Sequence, residues 1–109
     1  MLETILGSVN IERVLIFILA RKDGYAREIS RFYDTDLDPI QKQLEKLEIG
    51  GVLVSRKAGR TRLYSFNQAY PFLQELKSLL KKALSFYPEE EHERLVMVRM
   101  RPRRNKKPL

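Results

Sequence analysis

Apolar residues recur along this chain with two different periods, and each change of period marks a change of structure. Ile11, Val14, Leu15, Ile18 and Leu19 fall at i, i+3, i+4, i+7 and i+8, the spacing of one face of an α-helix. Ile16 and Phe17 widen the stripe, which predicts a helix from Ile11 to about Lys22 buried on more than one side. Ser8 or Asn10 suits its N-cap. Asp23-Gly24 ends it, with glycine able to take the left-handed conformation. Leu2 to Leu6 forms a short lead-in turn or helix ahead of it. A second helical piece runs from Tyr25 to Tyr33, with Ala26, Ile29, Phe32 and Tyr33 inward and Arg27, Glu28 and Arg31 outward. The turn Asp34-Thr35-Asp36-Leu37 leads to a third helix. Asp38 caps it and Pro39 takes the first helical position, where its missing N–H does no harm. Ile40, Leu44 and Leu47 form its inner face, Ile49 and Val52 continue the apolar contacts, and Gly50-Gly51 ends it.

The period then drops to two. Val52 to Lys57 and Arg62 to Phe66 read as strands, joined by the tight loop Ala58-Gly59-Arg60-Thr61, where glycine supplies a positive φ. Pro71 restarts helix to about Tyr87. Its apolar residues, from Phe72 through Leu76, Leu79 and Leu80 to Phe86, form a stripe wider than one neighbouring element needs. After Pro88 a charge order of glutamates before arginines suits a short last helix from about Glu89 to Met100. Leu95 to Met100 also fits an extended segment, and from Pro102 the composition is that of a disordered tail. The fold class is therefore α+β, mostly α: a winged helix-turn-helix with a three-helix core, a β-hairpin wing and a long C-terminal helix. Residues 1–87 make the domain and 88–109 a charged extension.

Composition narrows the function. A chain of 109 residues fits one small domain, and 43% hydrophobic with 32% charged residues is a globular balance. Absence of cysteine removes disulfides, thiolate metal sites and cysteine nucleophiles, and fits a reducing cytoplasm. No signal peptide stands at the N-terminus. The longest apolar run, Val14 to Ala20, is too short to span a bilayer. The net charge of +7 has a location: residues 1–93 hold fourteen acids and fourteen bases, and the excess lies in Arg94, Arg99, Arg101, Arg103, Arg104, Lys106 and Lys107. High pI is thus no evidence for a basic face on the domain; local clustering is what counts. The basic tail either adds sequence-independent affinity for nucleic acid or serves solubility.

Two clusters carry candidate chemistry. On the third helix, residues about 38–49, Gln41, Lys42 and Gln43 flank or oppose the inner face, with Lys46 further along. Glutamine pairs with adenine; lysine reaches guanine or phosphate. The bland alternative is a solvated helix face. In the hairpin, Arg56, Lys57, Arg60 and Arg62 fall within seven residues that hold no acid. That suits a phosphate clamp or an arginine in the minor groove, with Thr61 beside it; the bland alternative is protection of a strand edge. Tyr25 and Arg27, at the start of the second helical piece, complete the expected contact set. Asp34, Asp36, Asp38 and Glu45 occupy four places of a calcium-loop pattern, but Pro39 stands where that loop needs glycine. They are turn and capping residues on this reading, with no metal and no cofactor. His92 lies in a glutamate run, and neither a nucleophile elbow nor a phosphate-binding glycine loop exists, so no enzymatic activity is expected.

The run YAREISRFYDTDLDPIQKQLEKLEIGGVLVSRKAGRTRLYSFN resembles the DNA-binding core of winged-helix regulators of the arsenical-resistance-repressor type. It is especially similar to prokaryotic winged-helix domains found ahead of nucleotidyltransferases. The resemblance covers roughly residues 5–87, taking in LGSVNIERVLIFIL and YPFLQELKSLLKKAL. In it DPIQKQLEKLE matches the recognition helix and GGVLVSRKAGRTRLYSF the wing, with Gly59 and Arg60 at the tip. It implies a transcriptional regulator acting on double-stranded DNA as a homodimer through the first and last long helices. The metal-sensing branch uses Cys or His clusters that this chain lacks, and the transferase domain does not follow here. Two other functions stay open: a protein-interaction module partnering a separately encoded enzyme, and RNA binding, for which only Tyr64 near the wing could stack a base.

Overall fold

The computed structural model describes residues 1–96. The far end of the expected last helix and the expected disordered tail lie outside the described residues. The elements are α1 (Glu3–Leu6), α2 (Val9–Arg21), β1 (Asp23–Tyr25), α3 (Ala26–Phe32), α4 (Leu37–Ile49), β2 (Leu53–Ala58), β3 (Thr61–Phe66) and α5 (Leu73–Ser85). Residues 89–96 are a further helical stretch, α6.

The helix α2 is the centre of the molecule because its sequence is apolar nearly all round. Val14, Ile16, Phe17 and Ile18 are wholly buried. Ser8 caps it, its Oγ accepting from the Ile11 N–H at 3.1 Å. Around α2 pack Ile29 of α3, Ile40 and Leu44 of α4, Leu53 of β2, Tyr64 and Phe66 of β3, Leu80 of α5 and Leu95 of α6. Among the described residues no helix is long and apolar enough to cross a membrane.

The hairpin is part of a three-stranded antiparallel sheet in the order β1-β3-β2. The sequence reading has Tyr25 opening a helix and Gly24 as the left-handed stop of α2. Instead Lys22 takes the left-handed conformation (φ 76°), and Asp23-Gly24-Tyr25 form β1 along the free edge of β3, with Gly24 opposite Tyr64. Glycine is needed at 24 for a different reason: a Cβ there would lie 3.0 Å from Phe17 Cε1 and 3.3 Å from Ile29 Cδ1. Gly24→Val is therefore expected to wedge β1 off the core at a cost of about 1–3 kcal/mol. Urea denaturation checks this: the midpoint should fall while the m-value stays constant.

Two further expectations shift. Asp36, not Asp38, is the N-cap residue of α4, so Pro39 is the third helical position rather than the first. Proline is tolerated there because the first four N–H groups of a helix have no intrahelical acceptor. Ile49 does not continue the apolar contacts; it is 89% exposed.

Two buried charges hold the chain ends of the domain. The Glu12 carboxylate accepts from the Leu2 N–H at 2.7 Å, the Tyr87 hydroxyl at 2.5 Å and the N-terminal amine at 3.2 Å. Burial, and then the bond to Glu12, push the Tyr87 phenol well above its ordinary value. Arg21 is 4% exposed. Its guanidinium donates to the Leu95 and Arg94 carbonyls at 2.9 and 3.2 Å, meets Glu28 at 3.5 Å, and lies over the rings of Phe17 and Phe32.

Candidate nucleic-acid interface

Helix α4 turns Ile40 and Leu44 into the core, which orients the rest of it. Asp38, Lys42, Glu45, Lys46 and Ile49 are exposed and, at i, i+4, i+7, i+8 and i+11, make one outward stripe. The expected trio Gln41-Lys42-Gln43 is split. Lys42 faces solvent, with Lys46 a turn further on. Gln41 is half-buried, its Nε2 donating to Tyr64 Oη at 3.3 Å and Glu45 Oε2 at 3.1 Å. Gln43 is half-buried too, and its Oε1 is shielded without a partner. The outward stripe carries two lysines and two acids, so it has no net charge of its own.

The positive charge is in the wing, and the strand register decides where each cation goes. Lys57 stands opposite Arg62, Arg56 opposite Leu63, and Ala58 opposite Thr61. Neighbours along a strand face opposite sides of a sheet. Lys57 and Arg62 therefore share the α4-facing side with Ser55 and buried Leu53, Tyr64 and Phe66. Arg56 and Thr61 lie on the reverse side, and Arg60 stands at the tip beside Gly59 (φ 67°). All five outer residues, Arg56, Lys57, Arg60, Thr61 and Arg62, are exposed.

Arg62 has a second role. Its Nε donates to Ser55 Oγ at 2.8 Å, and Ser55 Oγ donates to Glu48 Oε2 of α4 at 2.8 Å. With Gln41 bonded to Tyr64, this relay ties the wing to α4 at two points. Burial raises the Tyr64 phenol above its ordinary value, so it stays neutral and accepts from Gln41. Sequence reasoning missed Ser55 and Glu48. Strand alternation, which puts Ser55 on the face of Tyr64, was the signal that could have found them.

Tyr25 is half-buried and belongs to β1; its backbone N–H donates to Glu28 Oε1 at 3.3 Å. Arg27 is exposed on α3. The turn aspartates have structural places: Asp34 takes φ 53°, a conformation aspartate tolerates, and Asp36 precedes α4. Among the described residues no group of His, Cys, Asp or Glu is placed to hold a metal.

Neither a protein-family model nor a curated protein matches the sequence. Solved structures do match its shape. A MarR-family transcriptional regulator from a Rhodococcus species has a TM-score of 0.56 at 17% identity, covering 95% of this chain and 71% of that one. HlyU from Vibrio cholerae, in its reduced form, has 0.55 at 15%, covering 82% and 100%. An apo mutant of ZitR from Lactococcus lactis has 0.54 at 19%, covering 97% and 87%. At these identities the likeness is one of fold: α3, α4 and the β2–β3 hairpin make a winged helix-turn-helix of the kind found in a MarR-family transcriptional regulator.

Proposed function

We propose that the chain is a sequence-specific DNA-binding transcriptional regulator of the cytoplasm. α4 enters the major groove and the basic wing follows phosphate or the adjacent minor groove. The observation that carries this reading is the two-point hydrogen-bonded joint between α4 and the wing, Gln41 to Tyr64 and Glu48 to Ser55 to Arg62, which puts the α4 lysines and the wing cations on adjoining elements. The fold shared with the Rhodococcus MarR-family transcriptional regulator supports a winged-helix regulator, and the wing with Gly59 and Arg60 at its tip is what the resemblance to the arsenical-resistance-repressor type rests on. Lys42 and Lys46 read the groove, Gln41 positions the wing through Tyr64, and Arg27 and Tyr25 flank the backbone. Selection from random DNA should enrich a motif, and Lys42→Ala should relax it at defined positions while Arg60→Ala weakens binding to every sequence alike. Enrichment of no motif by the wild-type chain would overturn the reading.

The reading includes a homodimer. Phe72, Leu76, Leu79, Ala83 and Phe86 alternate at intervals of four and three along α5, and the middle of this seam (Leu76, Leu79 and Ala83) already packs against the domain core. Phe72 and Phe86 are 62% and 67% exposed at its two ends, so the seam is unfinished within one copy. Two copies joined here would bring two recognition helices to a partly palindromic site, about 34 Å apart. Phe72→Glu with Phe86→Glu should convert a dimer to a monomer in sedimentation, with little change in helicity. The same exposed rings favour the second reading, a module docking a separate protein. Retention of such a partner by a chain that stays monomeric and holds no DNA at low salt would select it.

A further inference from the structure

We propose that a cleft between α3, the start of β3 and α6 is a phosphate-binding site, with Arg27, Arg31 and Arg94 as its ligands. The cleft has a volume of about 610 Å³ and is walled by Tyr25, Phe32 and Thr61. Arg27 and Arg31 stand one turn apart on α3, so both guanidiniums lie on the same side. Both side chains are exposed, and neither has a hydrogen bond or ion pair among the described residues. Arg94 comes from the opposite wall. Its Nη2 donates to the Phe32 carbonyl at 3.0 Å and its guanidinium stacks on the Phe32 ring at 4.4 Å, which anchors it at the cleft wall with its Nε and Nη1 donors bonded to no other described residue.

The cleft has an uncompensated charge. Among the described residues Glu28 is the one carboxylate on its lining, and it is engaged at 3.5 Å by Arg21, a fourth arginine on the same lining. Three guanidiniums around one concavity repel each other unless an anion sits between them. Arginine forks pair bidentately with phosphate oxygens, and the Thr61 hydroxyl at the rim adds a further donor. The phenyl and phenol walls leave room for the sugar of a phosphodiester or the body of a small phosphate ester. The phosphate can come from the DNA backbone or from a free phosphate compound. The DNA source rests on the function proposed above; the site itself does not.

Two measurements on the full chain test the site and separate the sources. In the first, inorganic phosphate is titrated against the labelled protein and amide shifts are followed, with chloride at matched ionic strength as the control. Saturable shifts are expected at residues 27–31 and 94–95. Arg31→Gln with Arg94→Gln should weaken them by about tenfold or more. In the second, DNA affinity is measured against salt, and the double variant should lower the slope of log K on log[salt] by about 2. A response in both marks a backbone phosphate that free phosphate imitates. A response to phosphate alone marks a soluble phosphate ligand, and stands even if the chain binds no DNA. A change in DNA slope alone marks a backbone contact. No saturable phosphate response together with an unchanged slope overturns the proposal. Arg31→Gln alone, at an exposed position without partners, gives the same answer at half the size if the double variant is poorly folded.

Discussion

Replacing Lys57, Arg60 and Arg62 together with alanine is expected to weaken DNA binding by about two to three orders of magnitude at about 0.1 M salt. Each cation that neutralises a phosphate releases condensed counterion, worth about 0.9 in the slope of log K on log[salt]. Three such contacts change the slope by roughly 2.7, and the loss fades as salt rises toward 1 M. Base preference should persist, because phosphate contacts position the protein and carry no sequence information themselves. Arg62 complicates a single substitution, since it also holds Ser55 and through it Glu48. Ser55→Ala isolates that second role: it breaks the relay and leaves every cation in place, so affinity should fall with the slope unchanged. Anisotropy titrations of one duplex over a salt series separate the two. A triple variant with the wild-type slope would mean that the wing does not lie on DNA.

What the sequence disclosed and what it withheld follow from how local each feature is. The helices α2 and α4, the hairpin and its glycine tip are legible because each is written in a short window: Ile11 to Leu19 at helical spacing, Ile40 and Leu44 one turn apart, Gly59 between two strands. β1 is only three residues, Asp23–Tyr25, too short for alternation to show. It exists because β3 offers it an edge and because Gly24 lets the backbone approach Phe17. The side of the sheet on which each wing cation lies also needed a nonlocal fact, the register of Lys57 against Arg62. Gln41 sits at the border between the inner and outer faces of α4, so its orientation depends on Tyr64, twenty-three residues away. Ile49 is a different case. Nine residues from Ile40, it falls on the opposite side of the helical wheel, so its exposure was legible in the sequence. Arg21 gave no local sign of burial, since a basic residue in the last turn of a helix ordinarily faces solvent and the helix dipole.

Arg21→Met is expected to release α6 from the domain while leaving the rest of the core folded. Methionine matches the length of the arginine stem and keeps contact with Phe17 and Phe32, so the loss is one of donors. The carbonyls of Arg94 and Leu95 each lose the guanidinium that satisfies them, and an unsatisfied buried acceptor costs about 1–3 kcal/mol. Glu28 loses its counter-charge too, but at 40% side-chain exposure water replaces much of what is lost. Detaching α6 would return both carbonyls to water at the cost of exposing Leu95, whose full burial is worth about 1.5–3 kcal/mol. The two terms are similar, so global stability should fall by only about 2–3 kcal/mol. Native-state hydrogen exchange should show the difference as a local one: amides of residues 91–96 lose protection while those of α2 and α4 keep most of theirs. Arg21→Lys should fall between, because one ammonium cannot satisfy both carbonyls in the fork geometry of arginine. Since α6 carries Arg94, and Arg21 itself lines the cleft and neutralises Glu28 there, Arg21→Met should also weaken the phosphate response of the cleft with Arg27 and Arg31 still in place. Full protection of residues 91–96 in the methionine variant would mean that burial of Leu95 holds α6 without the arginine.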